Sequence, residues 1–284
     1  MSEPKGTSRG FTLVELLVAM IMLVIVGSGL YGTLTTLQRV STKQAEVSNL
    51  QGNLRTGMQL VQSELQELFT NAGTSNSDLV SLSDTLLRYH AMRGLGETCE
   101  VTTSGVKIQS VSWNGSVPKS GQHLLLLWDK DSTLASDDVW LELTPTGGPS
   151  LAALCPDGVT AAYSVPVTLT VAQRDSIYPP SPVRTLDDME MGLVASGGQN
   201  WLGIRSFTAA EPELIPVIGP LAAGGLTFEY RDAAGNLTGA PENVKSILVT
   251  LRGISDRTVA TGLGSTQGNP TDSVQVRIQL RNSR

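Results

Sequence analysis

The hydrophobic residues of this chain are most concentrated in one uninterrupted run near the N-terminus. Residues 11–30 contain no Lys, Arg, Asp or Asn, and Glu15 is the only charged residue among them. A helix needs about 20 apolar residues to cross the roughly 30 Å hydrocarbon core of a bilayer, so this run predicts a membrane-spanning helix. A carboxylate within such a run costs about 2.5–3.5 kcal/mol at the helix centre and less near an end. Glu15 is therefore a candidate functional residue.

The helix is predicted to continue beyond the membrane as an amphipathic segment. Apolar residues recur there at spacings of three, four or seven, which is typical of a helix that buries one face. No proline occurs between residues 11 and 69, so we expect one helix of about 59 residues and about 90 Å. Gly27, Gly29 and Gly32 mark the expected position of a bend or local melting; a membrane helix that tolerates glycine is the alternative. The apolar stripe consists of Leu37, Val40, Val47, Leu50, Leu54, Met58, Val61, Leu65 and Leu68.

The rest of the chain is predicted to be rich in β-strands. Pro166 restricts its own segment to an edge strand or a bulge, and the stretch 172–224, rich in Gly, Pro and Ser, is expected to form loops. Because no linker or repeat divides the region, we expect an α+β fold in which one long N-terminal helix packs on an antiparallel sheet in a single globular domain. Apolar or alternating segments predict strands at 106–111, 124–128, 139–143, 165–171, 226–230 and 274–281.

A short basic head precedes the apolar run and ends at a glycine. Lys5 and Arg9 lie in this head, Gly10 closes it, and Phe11 begins the sequence Phe-Thr-Leu-Val-Glu-Leu-Leu. This arrangement resembles the class III signal of type IV prepilins. An ordinary secretory signal has a shorter apolar core followed by a small-residue cleavage site. A plain signal anchor accounts for the length and the basic flank, but not for Glu15 or the Gly-Phe junction.

The resemblance implies a mechanism of processing and assembly. In type IV prepilins a membrane aspartyl peptidase cleaves after the glycine and methylates the new N-terminus, which implies cleavage between Gly10 and Phe11 and N-methylation of Phe11. The freed amine is cationic at neutral pH. In the family it pairs with the carboxylate at the position of Glu15 in a neighbouring subunit, because either charge is costly in lipid when unpaired. The alternative for Glu15 is a carboxylate that reaches the lipid headgroups.

The resemblance also implies the organisation and location of the chain. It divides the chain into a prepilin leader at 1–10, a transmembrane helix at 11–36, its amphipathic continuation at 37–70 and a globular β-rich pilin domain at 70–284. The implied partners are the prepilin peptidase, inner-membrane lipid, the assembly platform and other major and minor pilins. The implied location is a single-pass inner-membrane protein with a periplasmic domain, later part of a pilus or pseudopilus.

A second resemblance lies in the C-terminal half. Residues 225–235, Gly-Leu-Thr-Phe-Glu-Tyr-Arg-Asp-Ala-Ala-Gly, are similar to the Leu-x-Phe-x-Tyr-x-Asp-x-x-Gly hairpin of J-type pseudopilins and W-type minor pilins. The strand-like segment 244–251 and the closing Leu-Arg-Asn at 280–282 follow the same pattern, and the segment 125–143 is similar to the W-type. The chain has 284 residues, more than expected for a major pilin, which favours a minor subunit.

Cys99 and Cys155 are the only cysteines. The resemblance to prepilins places both on the exported side of the membrane, where disulfides form. Closing a loop of roughly 57 residues stabilises a fold by about 4 kcal/mol in the chain-entropy model. We therefore predict a disulfide between them, with two separate buried thiols as the alternative.

The charge balance argues against nonspecific DNA binding as the main activity. The formal net charge is −6, and it becomes more negative once the basic leader is removed, which disfavours contact with phosphates. The last forty residues are nevertheless locally basic. An ordinary solvated face is expected there, and a DNA-contacting patch is the alternative. The basic residues are Lys245, Arg252, Arg257, Arg277, Arg281 and Arg284.

No catalytic constellation or cofactor-binding motif is found in the sequence. His90 and His123 are the only histidines, and neither has a Cys or an acid at metal-ligand spacing. Both are therefore expected at ordinary surface or core positions, with no metal site. Four aspartates crowd one loop, where a solvated acidic hairpin is expected and a calcium site is the alternative, since the spacing is not that of an EF-hand. They are Asp129, Asp131, Asp137 and Asp138.

Three function classes follow from these observations. The first is a structural, non-enzymatic minor pilin that assembles near the tip of a type IV pilus and serves adhesion, twitching motility or DNA uptake. The second is a J-type minor pseudopilin of a type II secretion system. The third is an adhesin or DNA receptor that uses the pilin signal only for delivery.

Overall fold

The computed structural model describes residues 12–70, 77–128, 139–260 and 267–283. Its helices are α1 (Leu13–Leu65) and α2 (Val171–Asp175), with one 3-10 turn at Pro241–Asn243. Its strands are β1 (Phe69–Thr70), β2 (Leu79–Leu82), β3 (Leu86–Thr102), β4 (Gly105–Gln109), β5 (Asn114–Gly115), β6 (His123–Trp128), β7 (Val139–Leu143), β8 (Ser150–Leu154), β9 (Ala161–Val165), β10 (Pro182–Ser196), β11 (Gln199–Ser206), β12 (Ile215–Arg231), β13 (Ser246–Ile254), β14 (Val259–Ala260), β15 (Gln267–Gly268), β16 (Thr271–Gln279) and β17 (Asn282–Ser283).

The chain divides into two compact units. The smaller unit comprises Met1–Asn49 and Ser255–Pro270, and the larger comprises Leu50–Ile254 and Thr271–Arg284. Within the smaller unit, the Ser255 hydroxyl donates a hydrogen bond to Glu46 Oε2 at 3.0 Å. The β14–β15 ladder also belongs to this unit.

The larger unit is built on one extensive antiparallel sheet. Its main path runs β16-β13-β12-β11-β10-β3-β4-β9-β8, and β2, β5, β6 and β7 attach beside β3 and β10. The β6–β7 hairpin joins the sheet where Val183–Leu186 of β10 pair with His123–Leu126 of β6. The observed architecture confirms the predicted α+β, pilin-like fold of one long N-terminal helix and an antiparallel sheet.

The C-terminal part of the apolar stripe on α1 packs against the sheet. Leu50, Leu54, Met58, Val61 and Leu65 are buried with apolar residues of β3, β10, β12 and β13, and Leu68 joins them after the helix. The earlier stripe positions differ, because Leu37 is 65 % and Val40 is 47 % exposed. Part of the predicted stripe therefore covers the sheet and part does not.

Polar contacts also join α1 to the sheet. Glu64 accepts two hydrogen bonds from the Arg93 guanidinium, at 3.3 and 3.1 Å. The same guanidinium donates from Nε to Asp187 Oδ2 at 3.2 Å. The Tyr89 hydroxyl, on a completely buried side chain, donates to Glu64 at 3.3 Å. The carboxylates and the cation are thereby paired where the helix meets the sheet, as partly buried charges require.

The helix ends earlier than the sequence predicts. The predicted end is near residue 69, but α1 ends at Leu65 and the chain then turns into β1. Phe69 and Thr70 pair in parallel with Asn282 and Ser283. Backbone pairing with the C-terminal segment therefore replaces the last predicted turn of helix. Gly27, Gly29 and Gly32 lie within the continuous helix, so the predicted bend or melting remains a prediction.

The stretch 172–224 does not form the predicted loops. Much of it belongs to β10, β11 and the first part of β12. Two of its glycines, Gly192 and Gly203, face each other in the β10–β11 ladder. A Cβ added at Gly192 would lie 2.4 Å from Leu86 Cδ1, and one at Gly203 would lie 2.7 Å from Val194 Cγ1. These glycines permit close packing within the sheet, so their presence is not a loop signal here.

The strand predicted at 165–171 is also wrong. Strand β9 ends at Val165, and Thr170 caps α2 by accepting a hydrogen bond from the Gln173 N–H at 3.2 Å. Val167 and Leu169 are nevertheless buried in a second apolar cluster with residues of β4, β6 and β10. The alternating pattern reflects burial of an extended connection, which does not continue as a strand.

Cys99 and Cys155 form the predicted disulfide. Their Cα atoms are 5.7 Å apart, a usual separation for this bond. Cys99 lies in β3, and Cys155 directly follows β8 in a turn where the Cys155 N–H donates to Thr160 O at 2.8 Å. The bond therefore ties the middle of the sheet to its β8–β9 end.

Reduction of this disulfide is expected to lower the Tm by on the order of 10 °C. The crosslink contributes about 4 kcal/mol for a loop of this length, and about 1 kcal/mol corresponds to 2–4 °C for a domain of this size. Calorimetry with and without reductant measures the change. The matched control is the Cys99→Ser/Cys155→Ser double variant, whose Tm should be lower and independent of reductant. A wild-type Tm that reductant leaves unchanged would contradict the prediction.

Candidate functional site

The N-terminal segment of α1 combines an apolar surface with a carboxylate at its start. In the part of the chain that the structure describes, α1 is the helix long and apolar enough to span a membrane. The most apolar stretch of this helix is not buried within the protein. Glu15 lies in its first turn, where a negative charge is favourable beside the helix N-terminus. The predicted cleavage residues, Gly10 and Phe11, lie outside the described residues.

The Glu15 side chain turns back towards the start of the helix. Its Oε2 atom lies 3.4 Å from both the Thr12 N–H nitrogen and the Thr12 hydroxyl oxygen. The Glu15 N–H donates in return to Thr12 Oγ1 at 3.3 Å. This is the reciprocal arrangement of a capping box. The carboxylate is thus held at the end of the helix that the proposed cleavage would release.

A second cluster of functional side chains lies on the sheet, where three strands supply one residue each. His90 is in β3, His123 is in β6 and Glu142 is in β7. The ladders join them through β10, because His90 is opposite Asp188 and His123 is opposite Leu186. Paired residues and residues two apart on a strand share a face, so both imidazoles lie on one face of the sheet.

The imidazoles and the carboxylate of this cluster are close together. The rings of His90 and His123 stack with centroids 4.8 Å apart. Nδ1 of His123 lies 2.8 Å from Oε1 of Glu142, but it has no hydrogen-bond partner in good alignment. Each of the three residues offers one possible metal-ligand atom, and these atoms all lie within 4.8 Å of one another.

Burial and neighbouring charge shift the pKa values of this cluster in opposite directions. The Glu142 carboxylate raises the pKa of His123, and His123 in turn lowers the pKa of Glu142. Burial lowers the pKa of His90. His90 is therefore held in its neutral form, in which one ring nitrogen offers a lone pair.

A small cavity adjoins the cluster. It has a volume of about 20 Å³ and is lined by His90, Glu142 and seven further residues. Asp78 is among them; burial raises its pKa to about 7 although its carboxylate accepts the Phe69 N–H, a bond of 2.7 Å. Arg184 is another, and its guanidinium carbon lies 4.3 Å from the centre of the Trp140 ring. The other lining residues are Phe69, Ser77, Leu125, Trp140 and Leu186.

The sequence predicts no metal site, and it offered no signal for this cluster. His90, His123 and Glu142 are far apart along the chain, so no ligand spacing relates them. They meet only because β6 and β3 flank β10 and because β7 pairs with β6. The four aspartates of the predicted acidic hairpin, between 129 and 138, lie outside the described residues.

Two of the described basic residues of the C-terminal segment lie beside carboxylates. Arg281 pairs with Glu67 at 3.0 Å, and Arg257 lies 3.5 Å from Glu46. Arg252 and Arg277 are exposed. Arg284 lies outside the described residues, and the solvated face remains a prediction.

The residues of the C-terminal hairpin motif have structural roles. Leu226, Phe228 and Tyr230 are buried on the helix side of β12, and the Tyr230 hydroxyl donates to Ser83 O at 2.8 Å. Asp232 Oδ1 accepts the N–H groups of Ala234 and Asn236, both at 2.9 Å, and shapes the turn. The motif therefore builds the sheet and its closing turn.

Comparison with known families bears on the N-terminal segment. The family model of the prokaryotic N-terminal methylation motif matches residues 5–31. The chain carries a type IV prepilin-like class III signal. This confirms the resemblance found in the sequence, and it supports a type IV pilin or pseudopilin. No curated protein and no solved structure matches the chain significantly.

The prepilin-like signal has consequences for processing and partners. It implies cleavage by a prepilin peptidase and assembly with other pilins. The apolar helix is consistent with single-pass anchoring in the inner membrane before assembly. Prepilin-like proteins are structural, non-enzymatic proteins.

Proposed function

We propose that this prepilin-like protein is a structural minor pilin that assembles into a type IV pilus and helps to initiate or cap it. The observation that carries the proposal is the exposed apolar surface of α1 between Leu13 and Val40, which bears a single carboxylate at its start. An apolar helix surface of this length must be covered by lipid or by other helices. In the proposed cycle, lipid covers it before assembly and neighbouring pilins cover it afterwards.

The two parts of α1 differ in burial, and this difference supports the proposal. The C-terminal part, from Leu50 to Leu65, packs in the core of the sheet domain. The N-terminal part has no such packing among the described residues. One segment thus belongs to the domain, and the other is available for the filament.

The proposed location of the sheet domain is the periplasm. The disulfide between Cys99 and Cys155 supports this orientation, because structural disulfides persist in oxidising compartments and are rare in the cytosol. The basic leader supports it as well, since positively charged flanks remain on the cytoplasmic side.

Processing is expected to yield a mature chain that begins at Phe11 and carries an N-methyl group. The peptide bond between Gly10 and Phe11 is the one that a prepilin peptidase would cleave in the matched signal. Mass spectrometry of the N-terminal peptide, with and without the co-expressed peptidase, measures this. An intact leader in the presence of an active peptidase, or cleavage beyond Leu30, would contradict the prepilin mechanism.

The C-terminal hairpin motif supports one second candidate, a J-type minor pseudopilin of a type II secretion system. The motif at Leu226, Phe228, Tyr230 and Asp232 resembles both classes, so it fits either. Deleting the gene distinguishes them. A minor pilin is expected to be required for surface pili and to be present in sheared filaments. Loss of protein secretion with normal pili would instead favour the pseudopilin.

A further inference from the structure

We propose that His90, His123 and Glu142 bind one zinc ion in the sheet domain, with a water molecule as the fourth ligand. The proposal is independent of the function proposed above, because it concerns strands β3, β6 and β7 of the sheet domain and not the N-terminal segment of α1. It starts from the three ligand-capable atoms that lie within 4.8 Å of one another.

The residue types select the class of metal. Two imidazoles and one carboxylate form a mixed nitrogen and oxygen set that suits Zn²⁺ and other first-row transition metals such as Fe²⁺, whereas Ca²⁺ and Mg²⁺ prefer oxygen ligands alone. Ligands around Zn²⁺ lie about 2.0–2.2 Å from the ion, so the side chains must converge slightly from their present separation. The three strands already hold these side chains on one face.

The size of the cavity indicates what completes the site. Its volume is about 20 Å³, and a water molecule needs about 10–15 Å³ on the same measure. The space is thus sufficient for one water. Three protein ligands and one water would give Zn²⁺ its usual four-coordinate geometry.

The surrounding charges permit a cation at this position. The guanidinium of Arg184 also lines the cavity, but it lies over the Trp140 ring. The carboxyl groups of Asp78 and Glu142 line the same cavity, and their negative charge counters the positive charge of the Arg184 guanidinium. Asp188, opposite His90, is engaged by Arg88, whose Nε donates to it at 3.0 Å.

The connectivity of the strands explains why a metal would help. The β6–β7 hairpin pairs with the main sheet where β6 meets Val183–Leu186 of β10. A metal bound by His90 would link both hairpin strands to β3, across β10. The role that follows is structural, since the ion would fix a hairpin that four residue pairs attach to the sheet.

The chain offers an unusually direct spectroscopic test, because His90 and His123 are its only histidines. The experiment uses the full chain in detergent, purified with a tag that contains no histidine and stripped with chelator. Histidine-selective isotope labelling gives two sets of ring signals. Both sets are expected to shift on addition of one equivalent of Zn²⁺. Zinc that shifts neither set, or only one, overturns the proposal.

Affinity and stability supply the second measurement. Calorimetric titration is expected to give one Zn²⁺ per chain, and at 100 times Kd the Tm should rise by about 5 °C or more. The same concentration of Ca²⁺ should leave the Tm unchanged. Absence of stoichiometric Zn²⁺ binding, or an equal effect of Ca²⁺, overturns the proposal.

Variants locate the site. His90→Asn, His123→Asn and Glu142→Gln are each expected to weaken Zn²⁺ binding at least tenfold. The matched control for Glu142→Gln is Glu213→Gln, which removes an exposed carboxylate elsewhere on the domain and should leave affinity unchanged. Unchanged affinity in both histidine variants overturns the proposal. If a variant does not fold, the histidine spectra of the wild-type protein provide the test in its place.

Discussion

Replacement of Glu15 by alanine is expected to leave membrane insertion intact and to reduce incorporation into filaments at least a hundredfold. Insertion should persist because the change removes a charge from an apolar helix and so eases transfer into lipid. Incorporation should fail because the methylated amine of Phe11 would lose its partner carboxylate. Loss of one member of a buried ion pair costs about 3–5 kcal/mol. Immunoblots of membrane and sheared-filament fractions measure both results.

Two further variants separate the charge of Glu15 from its contact with Thr12. Glutamine can also occupy the third position of a capping box, so Glu15→Gln keeps the capping contact and removes the charge. We expect it to fail in assembly like the alanine variant. Ser28→Ala changes another polar side chain of the same segment, whose hydroxyl donates to Ile25 O at 2.8 Å, and it should assemble normally. Normal assembly of Glu15→Gln would show that capping, not charge pairing, is the role of Glu15.

Replacement of Leu65 by alanine is expected to destabilise the sheet domain by about 2–5 kcal/mol, or about 5–15 °C in Tm. Leu65 is completely buried and packs in the cluster formed by α1, β3, β10, β12 and β13. Removal of its side chain loses transfer free energy and leaves a cavity that the sheet fills only in part. Denaturant unfolding of the full chain in detergent measures the change in the free energy of unfolding.

The matched control for Leu65→Ala is Leu37→Ala on the same helix. Leu37 belongs to the same sequence stripe but is 65 % exposed, so its removal should change stability by less than about 0.5 kcal/mol. Equal losses in the two variants would contradict the assignment of only the C-terminal half of the stripe to the domain core.

The predictions from sequence were most successful where chemistry or spacing was local. The apolar run and the Gly-Phe junction predicted the prepilin-like signal, because a class III signal is read from adjacent residues. The strand at Val139–Leu143 was predicted with its observed bounds. The cysteine pairing was also predicted, but it relied on there being only two cysteines in the chain. Cleavage at Gly10 and pairing of Glu15 remain predictions.

Errors arose where a residue's neighbours come from elsewhere in the chain. The long strand β3 was not among the predicted strands, and it contains two glycines, Gly94 and Gly96. In the structure they accommodate Trp113, whose ring would lie 2.0 Å from a Cβ at Gly94. Residues of β10, β11 and part of β12 were predicted to form loops because glycine in a sequence is a usual loop signal. Close side-chain packing selects glycine in these strands, and local propensity cannot reveal that packing.

The sequence by itself therefore determined the class of the protein: an apolar N-terminal helix with a prepilin-like signal, followed by an antiparallel β-rich domain. Hydrophobic periodicity and short motifs involve residues that are close together in the sequence, so they can be recognised from the sequence alone. Only the tertiary structure decided which half of the α1 stripe is buried, since burial depends on where the sheet ends. It alone brought together His90, His123 and Glu142, because strand order places distant residues on one face.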